Sequence, residues 1–117
     1  MSDARLRGNQ AEVLAANALL ARGYTIVTRR FKSRRGEIDL VARDGETWVF
    51  IEVKASERGH ETALTHLTSD KRQRLSQAAD EFFERFDLPP AACRFDVVTV
   101  QGEDVRHIED AFGDWTD

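Results

Sequence analysis

Three charged residues near the middle of the chain, Asp39, Glu52 and Lys54, are of the types that hydrolyse phosphodiester bonds when they meet around a divalent cation. Two neighbouring carboxylates repel each other unless a cation lies between them, and their hard oxygen atoms suit Mg²⁺ or Mn²⁺. Such an ion polarises a phosphoryl oxygen and activates water near neutral pH, while a lysine ammonium orients that water and offsets charge on the phosphate. Each residue alone is a weak signal, because Glu-x-Lys on a strand is more often a solvent-exposed ion pair.

A tight hairpin is expected to bring these three side chains together. The dipeptide Asp44-Gly45 is typical of a two-residue turn in which both residues adopt positive φ. Pairing outward from Arg43 and Glu46 places Asp39 opposite Phe50. The strands predicted on the two sides of the turn are Glu37–Arg43 and Glu46–Lys54.

Side-chain alternation along these strands gives the hairpin two different faces. On one face Asp39 and Glu52 become diagonal neighbours, about 7–8 Å apart at the backbone, and Lys54 follows on the same side. The side chains of the other face are all apolar and are expected in the core: Ile38, Leu40, Ala42, Val49, Ile51 and Val53.

The rest of the sequence predicts two helices and three further strands around the hairpin. Apolar residues at helical spacing indicate helices over about Asp3–Ala21 and Asp70–Phe86. Strands are predicted over Tyr24–Phe31, Arg94–Val100 and Val105–Ile108, and an exposed loop over Ala55–Thr68. The order αβββαβ, with a short last strand, predicts a single α/β domain over residues 1–117, with a central mixed β-sheet flanked by helices.

Composition favours one folded chain in the cytoplasm. Its 117 residues, 41% hydrophobic and 32% charged, suffice for one core. We expect no membrane contact, because the chain shows neither a signal peptide nor an apolar run of about 20 residues. Cys93 is the only cysteine, which excludes an internal disulfide and a cysteine-rich zinc site.

Charge is distributed unevenly, although the net charge is only -4. The segment from Arg22 to Arg35 contains no acidic residue, whereas acidic residues dominate after Asp80. We call the six cations of that segment the basic strip: Arg22, Arg29, Arg30, Lys32, Arg34 and Arg35. The basic strip is either a surface for nucleic-acid phosphates or a solvated face that keeps a strand soluble, and nucleic acid should avoid the acidic end.

The spacing of Asp39, Glu52 and Lys54 resembles the Asp...Glu-x-Lys signature of the restriction-endonuclease-like superfamily. Runs at residues 34–42 and 49–54 resemble the YraN family of small bacterial endonuclease-like proteins, relatives of archaeal Holliday-junction resolvases. The similarity extends to Gly8–Glu12, Gly23-Tyr24, Arg94–Val98 and His107–Phe112. The sequence departs from the family pattern at Arg30 and Asp110, where asparagine is frequent, and neither position is a proposed metal ligand.

This resemblance implies a role for each candidate residue. Asp39 and Glu52 would be metal ligands, Lys54 the catalytic lysine and Glu12 the helix carboxylate that completes the site. It also implies a branched or single-stranded DNA substrate. A homodimer would suit the two symmetric cleavage points of a junction.

Several other residues have two interpretations. Glu12 lies beside the apolar stripe of the first helix, where an ordinary exposed glutamate is equally expected. Lys71 shares a helix face with Leu75 and could lean toward a bound phosphate or simply extend into solvent. Glu37 could be a secondary ligand or an arginine partner, and Asp96 is expected to pair with an arginine. His60 and His66 are expected to be incidental loop residues.

Three functions are therefore compared. The first is a metal-dependent nuclease that recognises DNA shape rather than base sequence. The second is a nucleic-acid-binding module that keeps the fold and the metal but cleaves too slowly to matter. The third is a protein-interaction domain that uses the acidic C-terminal region.

Overall fold

The structure, a computed structural model, describes residues 4–65 and 67–112, with side chains from Asn9 onward. Three helices and five strands follow one another along the chain: α1 (Ala4–Ala21), β1 (Thr25–Ser33), β2 (Gly36–Asp44), β3 (Thr47–Ala55), α2 (His60–Leu64), α3 (Ser69–Arg85), β4 (Cys93–Gln101) and β5 (Asp104–Ile108). Within these ranges no helix has both the length and the apolar composition that a membrane span requires.

The five strands form one mixed sheet in the order β1-β2-β3-β4-β5. Neighbouring strands are antiparallel except β3 and β4, which are parallel because α2 and α3 carry the chain back between them. The predicted α/β fold with a central mixed sheet is confirmed.

Each face of the sheet is covered by one long helix. α1 packs three alanines and one leucine against the sheet: Ala11, Ala15, Ala16 and Leu19 are buried with Leu40 and Val98. α3 packs aromatic residues, and the Phe82 ring lies 5.1 Å from Phe31, 5.4 Å from Trp48 and 5.7 Å from Phe50 between centroids. The hairpin is therefore buried on both faces, not only on the apolar one.

Both long helices follow the predicted pattern closely. α1 ends at Ala21, and Gly23, with φ 91°, takes the left-handed conformation expected after a helix. α3 begins one residue earlier than predicted, because the Thr68 hydroxyl accepts the backbone N–H of Lys71 and caps the helix. The start of the first helix at Asp3 lies outside the described residues.

The predicted hairpin register is wrong by two residues. Asp44 pairs with Thr47, so the turn residues are Gly45 and Glu46 rather than Asp44 and Gly45. Gly45 has φ 63° and is the only one of the two turn residues with positive φ, which is the pattern of a turn that requires glycine at its first central position. Because the error is an even number of residues, the face assignment of Asp39 and Glu52 is unchanged.

Three smaller predictions also need correction. The predicted loop Ala55–Thr68 contains the short helix α2. Ile38 packs in the core on the α3 side although alternation assigns it to the α1 side with Leu40. The first strand begins at Thr25 and extends to Ser33, with an irregularity in the pairing between Ile26 and Thr28.

Candidate metal and nucleic-acid site

The sheet splits between β2 and β3 at the two candidate metal ligands. The pairing of these strands extends from Asp44 and Thr47 to Leu40 and Ile51 and goes no further. Beyond that point the first half of β2 pairs only with β1 and the end of β3 only with β4. Asp39 and Glu52 are the first residues past the split, on the two strands that diverge.

The Asp39 carboxylate accepts a backbone hydrogen bond at the point where the β2–β3 pairing ends. Its Oδ2 accepts the backbone N–H of Val53 at 2.7 Å, a bond that fixes the side chain against β3 next to Glu52. A backbone donor that would otherwise be left unpaired beside the split is thus satisfied by a site residue.

Glu52 is buried, with 4% of its surface exposed, and is compensated by two lysines. The Nζ atom of Lys54 lies 3.0 Å and that of Lys71 2.9 Å from the same oxygen, Oε2. A buried carboxylate is costly without such partners. The structure therefore places Asp39, Glu52, Lys54 and Lys71 in one cluster, which we call the acid–lysine cluster.

The electrostatics of the cluster oppose an ionised Asp39. Burial, together with the negative charge of Glu52, raises the pKa of Asp39 to about 7, although the Val53 N–H acts in the opposite direction. Burial lowers the pKa of Lys71, but its hydrogen bond to Glu52 and the charge of that residue outweigh burial, so its pKa is raised. The cluster thus combines an aspartate whose ionisation is disfavoured with two lysine ammonium groups that contact Glu52.

Glu12 lies near the cluster but is held by a different residue. Its Oε1 accepts the Arg30 Nε–H at 3.0 Å, while its negative charge still contributes to the raised pKa of Asp39. Arg30 itself has φ 54°, a left-handed conformation that is uncommon for an arginine. Asparagine adopts this conformation more readily than arginine does.

The donor set suits a hard divalent cation with few protein ligands. Among residues 4–65 and 67–112, no three aspartate, glutamate, histidine or cysteine side chains converge closely enough to hold a metal ion. Asp39 and Glu52 supply two adjacent carboxylates, and Mg²⁺ is commonly bound by one or two carboxylates with water and phosphate as the other ligands. The residues present therefore fit Mg²⁺ or Mn²⁺ rather than a fully protein-ligated ion.

Among the described residues, the basic strip contains exposed cations without an ion pair and cations that contact acidic residues. Arg29, Lys32 and Arg35 are exposed on β1 and the β1–β2 turn and form no ion pair within the described part of the chain. Arg34 is held by Glu81, whose Oε1 accepts its backbone N–H at 3.0 Å. Arg22 belongs elsewhere, because it contacts Glu109 at 2.9 Å and His107 at 2.6 Å.

Residues that sequence reasoning placed at the margin of the site have other partners. His60 is buried, with Nδ1 at 2.6 Å from Thr99 Oγ1 and Nε2 at 2.7 Å from Asp104 Oδ2. Glu37 is exposed at the start of β2 beside Lys71 and Arg74. His66 lies outside the described residues. Sequence patterns gave no indication of the His60 contacts, because they depend on the unpredicted helix α2.

Asp96 pairs with an arginine, as predicted. It is fully buried, accepts the Arg94 Nε–H at 3.0 Å and the Asp110 N–H at 2.9 Å, and lies 2.7 Å from His107 Nε2. Burial alone would raise the pKa of Asp96, but the hydrogen bonds from His107, Arg94 and Asp110 lower it. These contacts fasten β5 and the following turn to β4 on the face away from Glu52.

Of two cavities formed by the described residues beside the sheet, the smaller touches the acid–lysine cluster through Lys71. A cavity of about 70 Å³ between β2 and α3 is lined by Gly36, Glu37, Lys71, Arg74, Leu75 and Ala78. A broad groove of about 1140 Å³ runs between α1, the β3–α2 connection and the β4–β5 turn, and neither Asp39 nor Glu52 lines it. The size of the groove therefore does not identify the acid–lysine cluster as the functional site. The chemistry of the side chains in the cluster does favour it.

The molecule is an α/β protein whose mixed sheet opens around two carboxylates and two lysines. The chain belongs to UPF0102, described as an uncharacterised protein family, whose model matches residues 11–100. It is 42% identical to a UPF0102 protein of Halorhodospira halophila over 112 residues, covering 95% of this chain and 90% of that one. It is 43% identical to one from Symbiobacterium thermophilum over 101 residues (85% and 86%) and 38% identical to one from Herminiimonas arsenicoxydans over 105 residues (89% and 84%).

Proposed function

We propose that this protein is a divalent-metal-dependent endonuclease that hydrolyses phosphodiester bonds in DNA. The observation that carries the proposal is the split between β2 and β3, which sets Asp39 beside Glu52 with Lys54 on the same carboxylate. The resemblance of this arrangement to the Asp...Glu-x-Lys nucleases supports the same reaction. Exposed cations on β1 support a nucleic acid as the substrate.

Each residue of the cluster has a defined task in this proposal. Asp39 and Glu52 would hold Mg²⁺ or Mn²⁺, which supplies Lewis acidity toward the phosphoryl oxygen. Lys54 would donate a hydrogen bond to the attacking water and offset the negative charge that develops on the phosphate. Glu12 would join the site only after release from Arg30.

The basic strip determines how DNA would approach. Arg29, Lys32 and Arg35 lie at the β1 edge of the sheet, whereas the acidic β5 edge is on the opposite side. Contacts of this kind read the backbone and its shape rather than base sequence, so we propose branched or single-stranded DNA as the substrate. A homodimer would present two such sites to the two strands of a junction.

A cleavage panel with matched variants tests the proposal. Branched, flapped and single-stranded DNAs are incubated with Mg²⁺ or Mn²⁺ and with the wild type, Asp39→Ala or Lys54→Ala. Asp80→Asn and Arg106→Met, which change exposed charges away from the cluster, are the controls. We expect cleavage by the wild type and both controls and a loss of at least about 100-fold in the two cluster variants. Equal residual cleavage by all five proteins would indicate contamination and refute the proposal.

A second candidate function is supported by the Glu12–Arg30 ion pair. With Glu12 held at 3.0 Å by Arg30, only two carboxylates face each other, which favours a nucleic-acid-binding module with little or no catalysis. Metal-dependent DNA binding without cleavage of any substrate in the panel would establish this function instead.

A further inference from the structure

Two ammonium groups contact a single carboxylate oxygen in the acid–lysine cluster. Lys54 reaches Glu52 Oε2 from its own strand at 3.0 Å, and Lys71 reaches the same atom from α3 at 2.9 Å. One ammonium is sufficient to neutralise Glu52, and the second balances the neighbouring Asp39 only when Asp39 is ionised. The second contact therefore calls for a separate explanation.

The stability of α3 does not explain the position of Lys71. Lys71 lies in the first turn of the helix, two residues after its start at Ser69. The positive end of the helix dipole is there, and a cation at that end is unfavourable. The ammonium is also partly removed from water in order to meet Glu52. Both effects oppose this placement, so the contact with Glu52 is what favours it.

Charge counting shows what a divalent cation would change. Two carboxylates and two ammonium groups balance when all four side chains are ionised. A divalent cation entering the same space would leave an excess of two positive charges, and it would have to compete for Glu52 Oε2 with ammonium groups already there. The charges of the cluster are thus balanced without an ion. With an ion bound, the excess positive charge is reduced only if a lysine moves away.

Lys71 is the lysine with room to move. Its side chain is 35% exposed, against 23% for Lys54. It also lines the cavity of about 70 Å³ between β2 and α3, together with Glu37 and Arg74. Lys54, in contrast, comes from the same strand as Glu52, only two residues away.

We propose that Lys71 is a stand-in cation at Glu52 that leaves when the divalent ion enters and then binds a backbone phosphate of the DNA at this cavity. This inference rests on the proposed function, because it assumes that Glu52 is a metal ligand. Lys71 would thus not contact the ion itself but would control the access of the ion to Glu52. After it moves, it would bind a phosphate of the DNA. Ion uptake and DNA binding are thereby coupled through one side chain.

Mn²⁺ titration calorimetry without DNA tests the first half of the inference. Lys71→Met removes the competing ammonium, so Mn²⁺ should bind about fivefold more tightly than to the wild type. Lys71→Gln, which keeps a hydrogen-bond donor but no charge, should give the same gain. The control is Arg74→Met: Arg74 lines the same cavity and pairs with Asp70 at 2.9 Å, but has no contact with Glu52, so Mn²⁺ affinity should be unchanged.

DNA affinity with and without an ion tests the second half. In EDTA Glu52 retains Lys71, so Lys71→Met should bind a labelled branched DNA as tightly as the wild type does. In Ca²⁺, a hard cation with the same preference for oxygen, the same variant should bind about threefold to tenfold more weakly. Arg74→Met should lose the same factor under both conditions, since no carboxylate of the cluster holds it.

Failure of this inference is distinguishable from failure of the proposed function. A Lys71→Met protein that melts like the wild type but binds Mn²⁺ with equal or weaker affinity would overturn the inference. So would an equal loss of DNA affinity in EDTA and in Ca²⁺. If the wild type itself binds no Mn²⁺, the proposed metal site is wrong and the inference falls with it.

Discussion

Asp39 is the residue at which the requirements of the site conflict with those of the fold. Its pKa of about 7, raised by burial and by Glu52, means that the folded protein binds a proton there that the unfolded chain, with an ordinary aspartate pKa of about 4, has released. Between those two pH values the native state holds more protons than the unfolded state. The free energy of unfolding should therefore fall as the pH rises from about 4 to about 7 and level off above that.

Asp39→Asn removes this pH dependence. Its amide oxygen can still accept the Val53 N–H, but no charge develops beside Glu52. In EDTA at pH 8 we expect the variant to be more stable than the wild type by roughly 2–4 kcal/mol, with the difference vanishing near pH 4. Denaturant unfolding at the two pH values measures it, with exposed Asp80→Asn as the control.

Addition of Mg²⁺ should reduce the stability difference between Asp39→Asn and the wild type at pH 8. Binding of the proposed ion to the folded state alone would stabilise the wild type, whereas the variant lacks one of the two proposed ligands. A variant that is less stable than the wild type at both pH values in EDTA would contradict the account of Asp39.

At the scale of single elements, the β2–β3 hairpin depends on one glycine. Gly45 has φ 63° at the first position of the turn, where a side chain is strained. Gly45→Ala should lower the free energy of unfolding by about 1–3 kcal/mol, as measured by urea denaturation. Glu46→Ala, at the second turn position, should have little effect. A loss of stability in Gly45→Ala no larger than that in Glu46→Ala would contradict this turn.

The elements that sequence could predict are those whose pattern is long. α1 and α3 follow from apolar residues repeated over several helical turns, and their observed ends agree with the prediction to within about a residue wherever the structure describes them. α2 has five residues and too few turns to show a period. The predicted hairpin register is wrong because the Asp44-Gly45 pattern predicts a turn with two positive φ values, whereas in the structure Asp44 belongs to the strand and only Gly45 has positive φ.

The site could be predicted in part because two side chains lie on the same face of a hairpin whenever the register error is an even number of residues. An error of two residues leaves side chains on the same face, so Asp39 and Glu52 stay together although their register was wrong. The direct contact of Lys71 with Glu52 depends on how the crossover from β3 to β4 lays α3 on the sheet, which no local pattern specifies. The sequence also does not indicate that Arg30 adopts a left-handed conformation or that it pairs with Glu12.

For the whole molecule, charge is separated between opposite edges of the sheet. Unpaired cations lie at the β1 edge, while Asp104 and Glu103 lie near the β5 edge. The proposed DNA substrate should therefore contact one side of the molecule. The strength of that contact should depend on salt, because phosphate binding releases counterions.

Salt dependence of DNA affinity can assign phosphates to individual cations. Replacing Arg29, Lys32 or Arg35 singly by glutamine should reduce the slope of log K against log[salt] by about one in each case. Arg106→Gln, on β5, removes the same charge and should leave the slope unchanged. Filter binding or fluorescence anisotropy at several salt concentrations measures this. An equal decrease for Arg106→Gln would show that binding is not confined to the β1 edge.

The two lysines on Glu52 also bear on how the protein comes to exist in a cell. Some small metal-binding domains cannot fold until their ion arrives, because nothing else neutralises the ligands. Here Lys54 and Lys71 provide that neutralisation from within the chain. A newly synthesised chain should therefore fold whatever the concentration of free magnesium. The ion would be needed only for the activity of the folded protein.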